Sequence, residues 1–331
     1  MGKTPLLCCC CGIGCCNLLY SIGMGIQSCD LQFEAEVARD AHGLRYLGPT
    51  LRGFFGYALK NLVCVVSHGQ CDCCILEKSC LYTRVFEGRP PSARRMMTRY
   101  STVPQPFVLC VPGPDEPPVI DGRLQWGIRL FGDVGEMAPY IIESFMRHAS
   151  RGLGPRRVGF RLKRVYDGHT GATVWNEGFT SAITLPEIRT MRPRSVPGGR
   201  SSIRFTFQTP VHIRVGGSFS PTPSGLDIVL AGRRRYSLLR YFYGFGGDSE
   251  PSQEPRIEAE DFKTEEVRLH PWHIDRYSGR QHRKVPLNGS TGSVTITGPW
   301  EQAGAWLGSI EQWYLGKYTS FGFGRISWQA V

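Results

Sequence analysis

LGKYTSFGFGRI, Leu315–Ile326, sets three glycines, a lysine and an arginine between apolar stretches and stops five residues short of Val331. Glycine tolerates φ > 0 and lets the backbone approach a ligand with no Cβ in the way. Gly316, Gly322 and Gly324, with Lys317 among them, therefore read either as a loop whose N–H groups meet phosphate or as a tight β-turn. Neither standard phosphate loop fits. No Gly-Lys-Ser/Thr closes a Walker motif, and no G-x-G-x-x-G leads from a strand into a helix.

Outward from this loop, RISWQAV reads as a last strand and PWEQAGAWLGSIEQWYLG as the helix before it. Further upstream, IRFTFQTPVHIRV is a strand, GLDIVLAGRRRYSLLRYFYGFG a helix, and VRLHPWHIDRYSG and GSVTITG two more strands. The order is β-α-β-β-α-β. The first half repeats it. LQFEAEVA alternates apolar and polar residues, giving a strand over Cys29–Ala38, and Thr50 is placed as the N-cap of a helix over Leu51–Val63. Strands at Pro106–Val111 and Leu124–Phe131, a helix over Glu136–Ala149 and the strand RRVGFRLKRVYD follow. The Pro/Gly-rich TMRPRSVPGGRSS marks the boundary between halves. These patterns predict an α+β protein of tandem ferredoxin-like (RRM-like) β-α-β-β-α-β domains, over residues 29–192 and 200–331, with a Cys-rich insertion at 64–88 in the first.

The 331 residues are 41% apolar, enough for real cores, and carry 39 Lys and Arg against 28 Asp and Glu, a net charge of +11. That excess points to a polyanion such as nucleic acid. Its cations cluster at Arg94-Arg95, Arg156-Arg157, Arg161-Lys163-Arg164, Arg233-Arg234-Arg235 and Arg276 to Lys284.

Eleven of the thirteen cysteines fall into two groups. Six lie in LLCCCCGIGCC at the start, where adjacent cysteines have no packing logic. Residues 1–28 read as an extension outside the fold, disordered or the product of a mis-assigned start ahead of Met24, with a signal or membrane anchor as the alternative. The second group lies in CVVSHGQCDCCILEKSC. Cys64, Cys71, Cys74 and Cys80, with Cys73 or His68 as substitutes, have spacing suited to a structural zinc; an iron–sulfur cluster, disulfides or free thiols are the alternatives. With four protein ligands such a site would be closed and not catalytic.

YLGPTLRGFFGYAL, CDCCILEKSCLYTRVFE, VPQPFVLCVP, FTFQTPVHI, RYSGRQ and the terminal LGKYTSFGFGRI together resemble the CRISPR-associated endoribonucleases that cut precursor CRISPR RNA within its repeats, members of the RAMP superfamily. A glycine-rich loop between the final helix and final strand is that superfamily's hallmark. The resemblance implies that Gly316 to Gly324 lie along RNA backbone. It also implies a reaction without a catalytic cofactor, in which the ribose 2′-OH attacks the adjacent phosphate and leaves a 2′,3′-cyclic phosphate and a 5′-OH. The partner implied is CRISPR repeat RNA or crRNA in a prokaryotic cytoplasm, with no membrane; an effector complex and a homodimer remain open. A RAMP subunit that holds guide RNA without cutting is the alternative.

Such a reaction wants a base, an acid and a cation. In relatives the active histidine sits in or near the loop and helix after the first strand, which here holds His42. The resemblance thus implies His42 as general base or acid, Tyr46 orienting the proton, and Arg52 or Lys60 as the cation; the bland reading of His42 is an exposed loop residue. HPWHIDRYSGRQHRK is the rival site. There Arg276, Tyr277, Ser278, Arg280, Gln281, His282 and Lys284 read chiefly as RNA-binding surface, joined by Gly316, Lys317, Gly322 and Gly324 of the loop.

Overall fold

The computed structural model describes residues 25–37, 44, 46–66, 71–91, 93–178, 183–244, 257–258, 261–278 and 282–331. The chain runs through β1 (Gln27–Val37), α1 (Leu47–Val63), β2 (Phe107–Cys110), β3 (Val119–Ile120), β4 (Arg123–Phe131), α2 (Ala138–His148), β5 (Phe160–Asp167), β6 (Thr173–Asn176) and β7 (Arg189–Thr190). The second half supplies β8 (Arg200–Val211), β9 (Arg214–Val215), β10 (Ser218–Phe219), α3 (Gly225–Tyr243), β11 (Lys263–Ser278), β12 (Arg283–Pro299), α4 (Gly304–Trp313) and β13 (Ile326–Ala330).

Both main sheets are antiparallel. Their orders are β2-β4-β1-β5-β6 and β11-β12-β8-β13. Numbered within each half, the four principal strands stand 2-3-1-4 both times, which is the ferredoxin-like order; the protein is a tandem ferredoxin-like fold. In β1, Cys29, Leu31, Phe33 and Ala35 are buried on the face that meets the helices, as its period-two pattern requires.

Three boundaries differ from the sequence reading. α1 starts at Leu47, so Thr50 is not its cap; Pro49 falls in the first turn, where a missing N–H costs nothing. The last helix is shorter than predicted because Trp300–Gln302 forms a separate 3₁₀ turn before α4. β11 and β12 run 16 and 17 residues, longer than either predicted strand. The pattern starts the second of those strands only at Gly292, with 280–291 outside it. Instead Gly292 (φ +114) sits at a register shift where a Cβ would overlap the Arg268 carbonyl, a bulge rather than a loop.

The two halves share their cores. Leu287, Phe321 and Phe323 of the second half are buried in the first core, with Trp272 and Ile274 packed against it. Ile26, Val108 and Phe131 of the first half are buried in the second. Arg129 pairs with Asp30 and donates from Nη1 to the Gln312 carbonyl at the end of α4 (2.7 Å). The halves are therefore welded by apolar packing and by the Arg129 hydrogen bond to Gln312, with Asp30 holding Arg129 in place from within the first half. No helix among the described residues is long and apolar enough to cross a membrane.

Candidate nucleic-acid interface

The glycine loop packs against the first half. Its backbone N–H groups at 317, 321, 322, 323 and 324 are spent on His212, Tyr318, Thr319, Tyr318 and Pro210 carbonyls. A Cβ on Gly322 (φ +80) would overlap Val111 and stand 3.1 Å from the Tyr46 hydroxyl; on Gly316 (φ +81) it would meet the His212 carbonyl at 2.5 Å. Residues 319–324 are all buried. This corrects the reading of Gly322 and Gly324 as a surface of N–H donors, and it packs Gly316 against the His212 carbonyl. They are glycines because protein, not ligand, comes close.

What the loop exposes is side chain. Lys317 is exposed, with its ammonium pKa lowered by partial burial and by the neighbouring Arg214 and Arg234. Phe321, at the end of the 3₁₀ turn Thr319–Phe321, has the Arg52 guanidinium 4.4 Å from its ring centroid and that of Arg276 at 4.7 Å. Arg52 Nε donates to Ser320 Oγ (3.2 Å). The two segments that read as rivals, α1 and the β11–β12 hairpin, thus meet at one ring.

A ladder of cations and rings continues along α1. Arg52 also lies over Phe86 (5.3 Å), Phe86 stacks on Tyr82 (5.3 Å between centroids), and Lys60 stands over Tyr82 (5.4 Å). Lys60 is eight residues past Arg52, about 12 Å along the helix, so the two do not share one seat. Burial, then the charge of Arg276, lowers the Arg52 pKa to about 10, which leaves it charged at neutral pH.

The structure sorts the charge clusters. Arg161 and Lys163 are paired with Glu177, and Arg94 is spent on the carbonyls of Pro91, Met97, Thr98 and Tyr100. Arg235 is buried, its Nε donating to the carbonyls of Trp313 and Tyr314. Among the described residues, Arg52, Arg276, Lys60 and Lys317 have no carboxylate at ion-pair distance.

Of the other expected residues, His42, Arg280 and Gln281 lie outside the described residues. Tyr46 is 4% exposed, edge-on to Trp272 (5.0 Å) and Phe323 (5.7 Å). Its hydroxyl faces Thr209 and Arg325 without a hydrogen bond of ordinary geometry, and burial pushes its pKa far up. Tyr46 is packed into the floor of the seam. Tyr277 is 65% exposed at the far end of the hairpin, opposite Lys284, and His282 (φ +48) leads into β12. Ser278 ends β11.

The zinc expectation is not met. Among the described residues no group of three or more His, Cys, Asp or Glu gathers as a metal site would. Cys64 is exposed and donates Sγ–H to the Val66 carbonyl (3.1 Å). The segment from Cys71 to Cys80 closes on itself through Glu77 N–H to Cys74 (3.0 Å) and Cys80 N–H to Leu76 (2.9 Å). Arg89 clamps it from outside by pairing with Asp72 and Glu77. A guanidinium and backbone turns do the stapling that the cysteine spacing suggested for metal, and the residues present do not fit a zinc.

A second feature is an open cleft of about 470 Å³ between the sheets, walled by Gln32, Gln125, Arg129, Gln208 and Arg325 together with Glu116 and Glu311. Arg129 is already paired with Asp30 and two carboxylates line the walls, so it suits a polyanion less than the Arg52–Arg276 seam. His212 is buried nearby in the second half, its Nδ1–H donated to the Asn288 carbonyl (2.7 Å) and its ring stacked on Phe219.

Twin ferredoxin-like halves with unpaired cations at their seam define a class of nucleic-acid-binding fold. The comparisons narrow it. Residues 205–326 match the family described as CRISPR-associated endoribonuclease Cas6, and residues 26–188 match a family described as an N-terminal domain, AF_1859_N. Over residues 205–326 the chain thus carries a Cas6 endoribonuclease domain. A comparison with curated protein sequences finds no match. Among solved structures, a Cas6 (TTHB231) product complex aligns at 16% identity and TM-score 0.49 over 91% of this chain and 100% of that one. The Thermus thermophilus Cas6 (TTHB231) aligns at 16% and 0.46 over 93% and 100%. One described as a RAMP protein binding different RNA substrates aligns at 10% and 0.43 over 92% and 99%. Likeness at that level supports neither substrate nor mechanism.

Proposed function

We propose that this protein cleaves precursor CRISPR RNA within its repeats by metal-independent attack of a ribose 2′-OH on the adjacent phosphate, leaving 2′,3′-cyclic phosphate and 5′-OH ends. The observation that carries the reading is the position of Phe321: it belongs to the segment matched by the endoribonuclease family and holds Arg52 of the first half against its ring. The match supports the substrate class, and the meeting supports the place.

Each step has a group of suitable chemistry. Arg52 keeps its charge, is fixed by Phe321, Phe86 and Ser320, and stabilises the negative charge that builds on the phosphorane oxygens. A preorganised donor of that kind contributes on the order of 10²–10³ in rate. His42, two residues before the buried Leu44, is assigned as acid or base because imidazole titrates near neutrality. Tyr46 and Phe323 form the floor, and Lys317 meets backbone phosphate at the loop.

The test is incubation of the purified protein with repeat RNA in EDTA, with the product ends analysed by chemistry specific for cyclic phosphate. Cleavage within the repeat, lost in His42→Ala with binding retained, supports the reading. Binding without cleavage by the wild type points instead to a RAMP subunit that holds RNA.

A further inference from the structure

We infer that Arg52 and Arg276 form a two-guanidinium seat for a single backbone phosphate, assembled only where the hairpin of the second half closes on α1 of the first. The inference rests on the RNA reading above. Both side chains lean on one ring, within 4.4 and 4.7 Å of the Phe321 centroid, so their guanidinium carbons stand at most about 9 Å apart and the charge of Arg276 is felt at Arg52. Like charges held this close, partly removed from water, repel unless an anion joins them. Arg276 Nε is buried without a hydrogen-bond partner, and Arg52 has the Ser320 hydroxyl and its stacking rings, with Glu87 acting on it only from beyond ion-pair distance. Neither has a carboxylate at ion-pair distance among the described residues.

Other arginines of the chain show the alternative. Arg129, Arg161, Arg189 and Arg194 each have a carboxylate partner. Stacking fixes the plane of each guanidinium, and two fixed forks match the oxygens of a phosphodiester better than two mobile lysines would. Because α1 and β11 come from different halves, the seat also senses whether the halves are docked.

Binding of single-stranded polyuridylate, followed by fluorescence anisotropy over a series of KCl concentrations, tests this directly. Removing one phosphate contact lowers the magnitude of the log K against log salt slope by roughly 0.7. Arg276→Ala and Arg52→Ala are each expected to lose about that much, and the double variant no more than either alone, because one phosphate is shared. Arg276→Lys, which keeps the charge, is expected to keep the slope while binding more weakly; it guards against an alanine variant that misfolds. An unchanged slope in Arg276→Ala, a doubled loss in the double variant, or no wild-type binding would overturn the seat. Wild-type cleavage of repeat RNA in EDTA, run in parallel, decides the endonuclease reading separately: cleavage with unchanged slopes sinks the seat alone.

Discussion

Replacing Arg129 by alanine should cost the protein about 3–5 kcal/mol, because it leaves the Asp30 carboxylate, 2% exposed, without its counter-charge. It also deletes the hydrogen bond to the Gln312 carbonyl that joins β4 of the first half to α4 of the second. At roughly 2.1 cal/mol/K per residue, a chain of this size unfolds with an entropy near 0.7 kcal/mol/K, so the loss corresponds to a fall in Tm of about 4 to 7 °C. Differential scanning calorimetry reads both the shift and the number of transitions. The shared cores call for one transition, moved down, with both halves melting together. A fall of less than about 2 °C would refute the structural role given to Arg129 and its bond to Gln312. Two separated transitions in the wild type would refute the single unit.

Other consequences follow from named contacts. Gly322→Ala places a Cβ against Val111 at φ +80 and should cost about 1–3 kcal/mol by thermal melting; an unchanged Tm would contradict the packed loop. Lys317→Ala should leave Tm unchanged and lower the salt slope of RNA binding by roughly 0.7, and an unchanged slope would argue against phosphate at the loop. Burial, with Lys317 and Arg214 adding to it, lowers the His212 pKa below 6.5, so the unfolded chain binds that proton first. The stability His212 contributes is then full above about pH 6.5 and fades as pH falls toward its folded value; wild-type Tm should decline over that window more than that of His212→Gln. Dialysis against a chelator should leave Tm unchanged, and a drop would restore a metal to the cysteine segment.

The repeated β-α-β-β-α-β order was legible because it needs only periodicity and turn residues, which are local. Thr50 misled because a proline one position earlier reads as a stop, whereas in a first helical turn it is harmless. Gly289 falls outside the predicted strands for a similar reason: composition does not tell a glycine that turns the chain from one that lets another strand approach, as Pro210 does there. The same ambiguity hid the role of Gly322 and Gly324.

At the site, Arg52 and Arg276 were each visible as cations, but Phe321, the ring both lean on, was not, since the meeting spans 268 positions from Arg52 to Ser320. The nearest signal was an aromatic inside a glycine-rich basic loop. The cysteine spacing suggested metal chemistry, and Arg89, whose ion pairs with Asp72 and Glu77 hold that segment, left no mark in the spacing at all.

Photocrosslinking with repeat RNA carrying 4-thiouridine at single positions, with the attached peptides read by mass spectrometry, tests most directly where the RNA lies. Crosslinks near the scissile position should fall within residues 42–52, 272–284 and 317–321, from both halves of the chain. Crosslinks confined to the cleft walls at Gln32, Gln125 and Gln208, or to the cysteine segment, would contradict the placement of the site at the Arg52–Phe321–Arg276 seam.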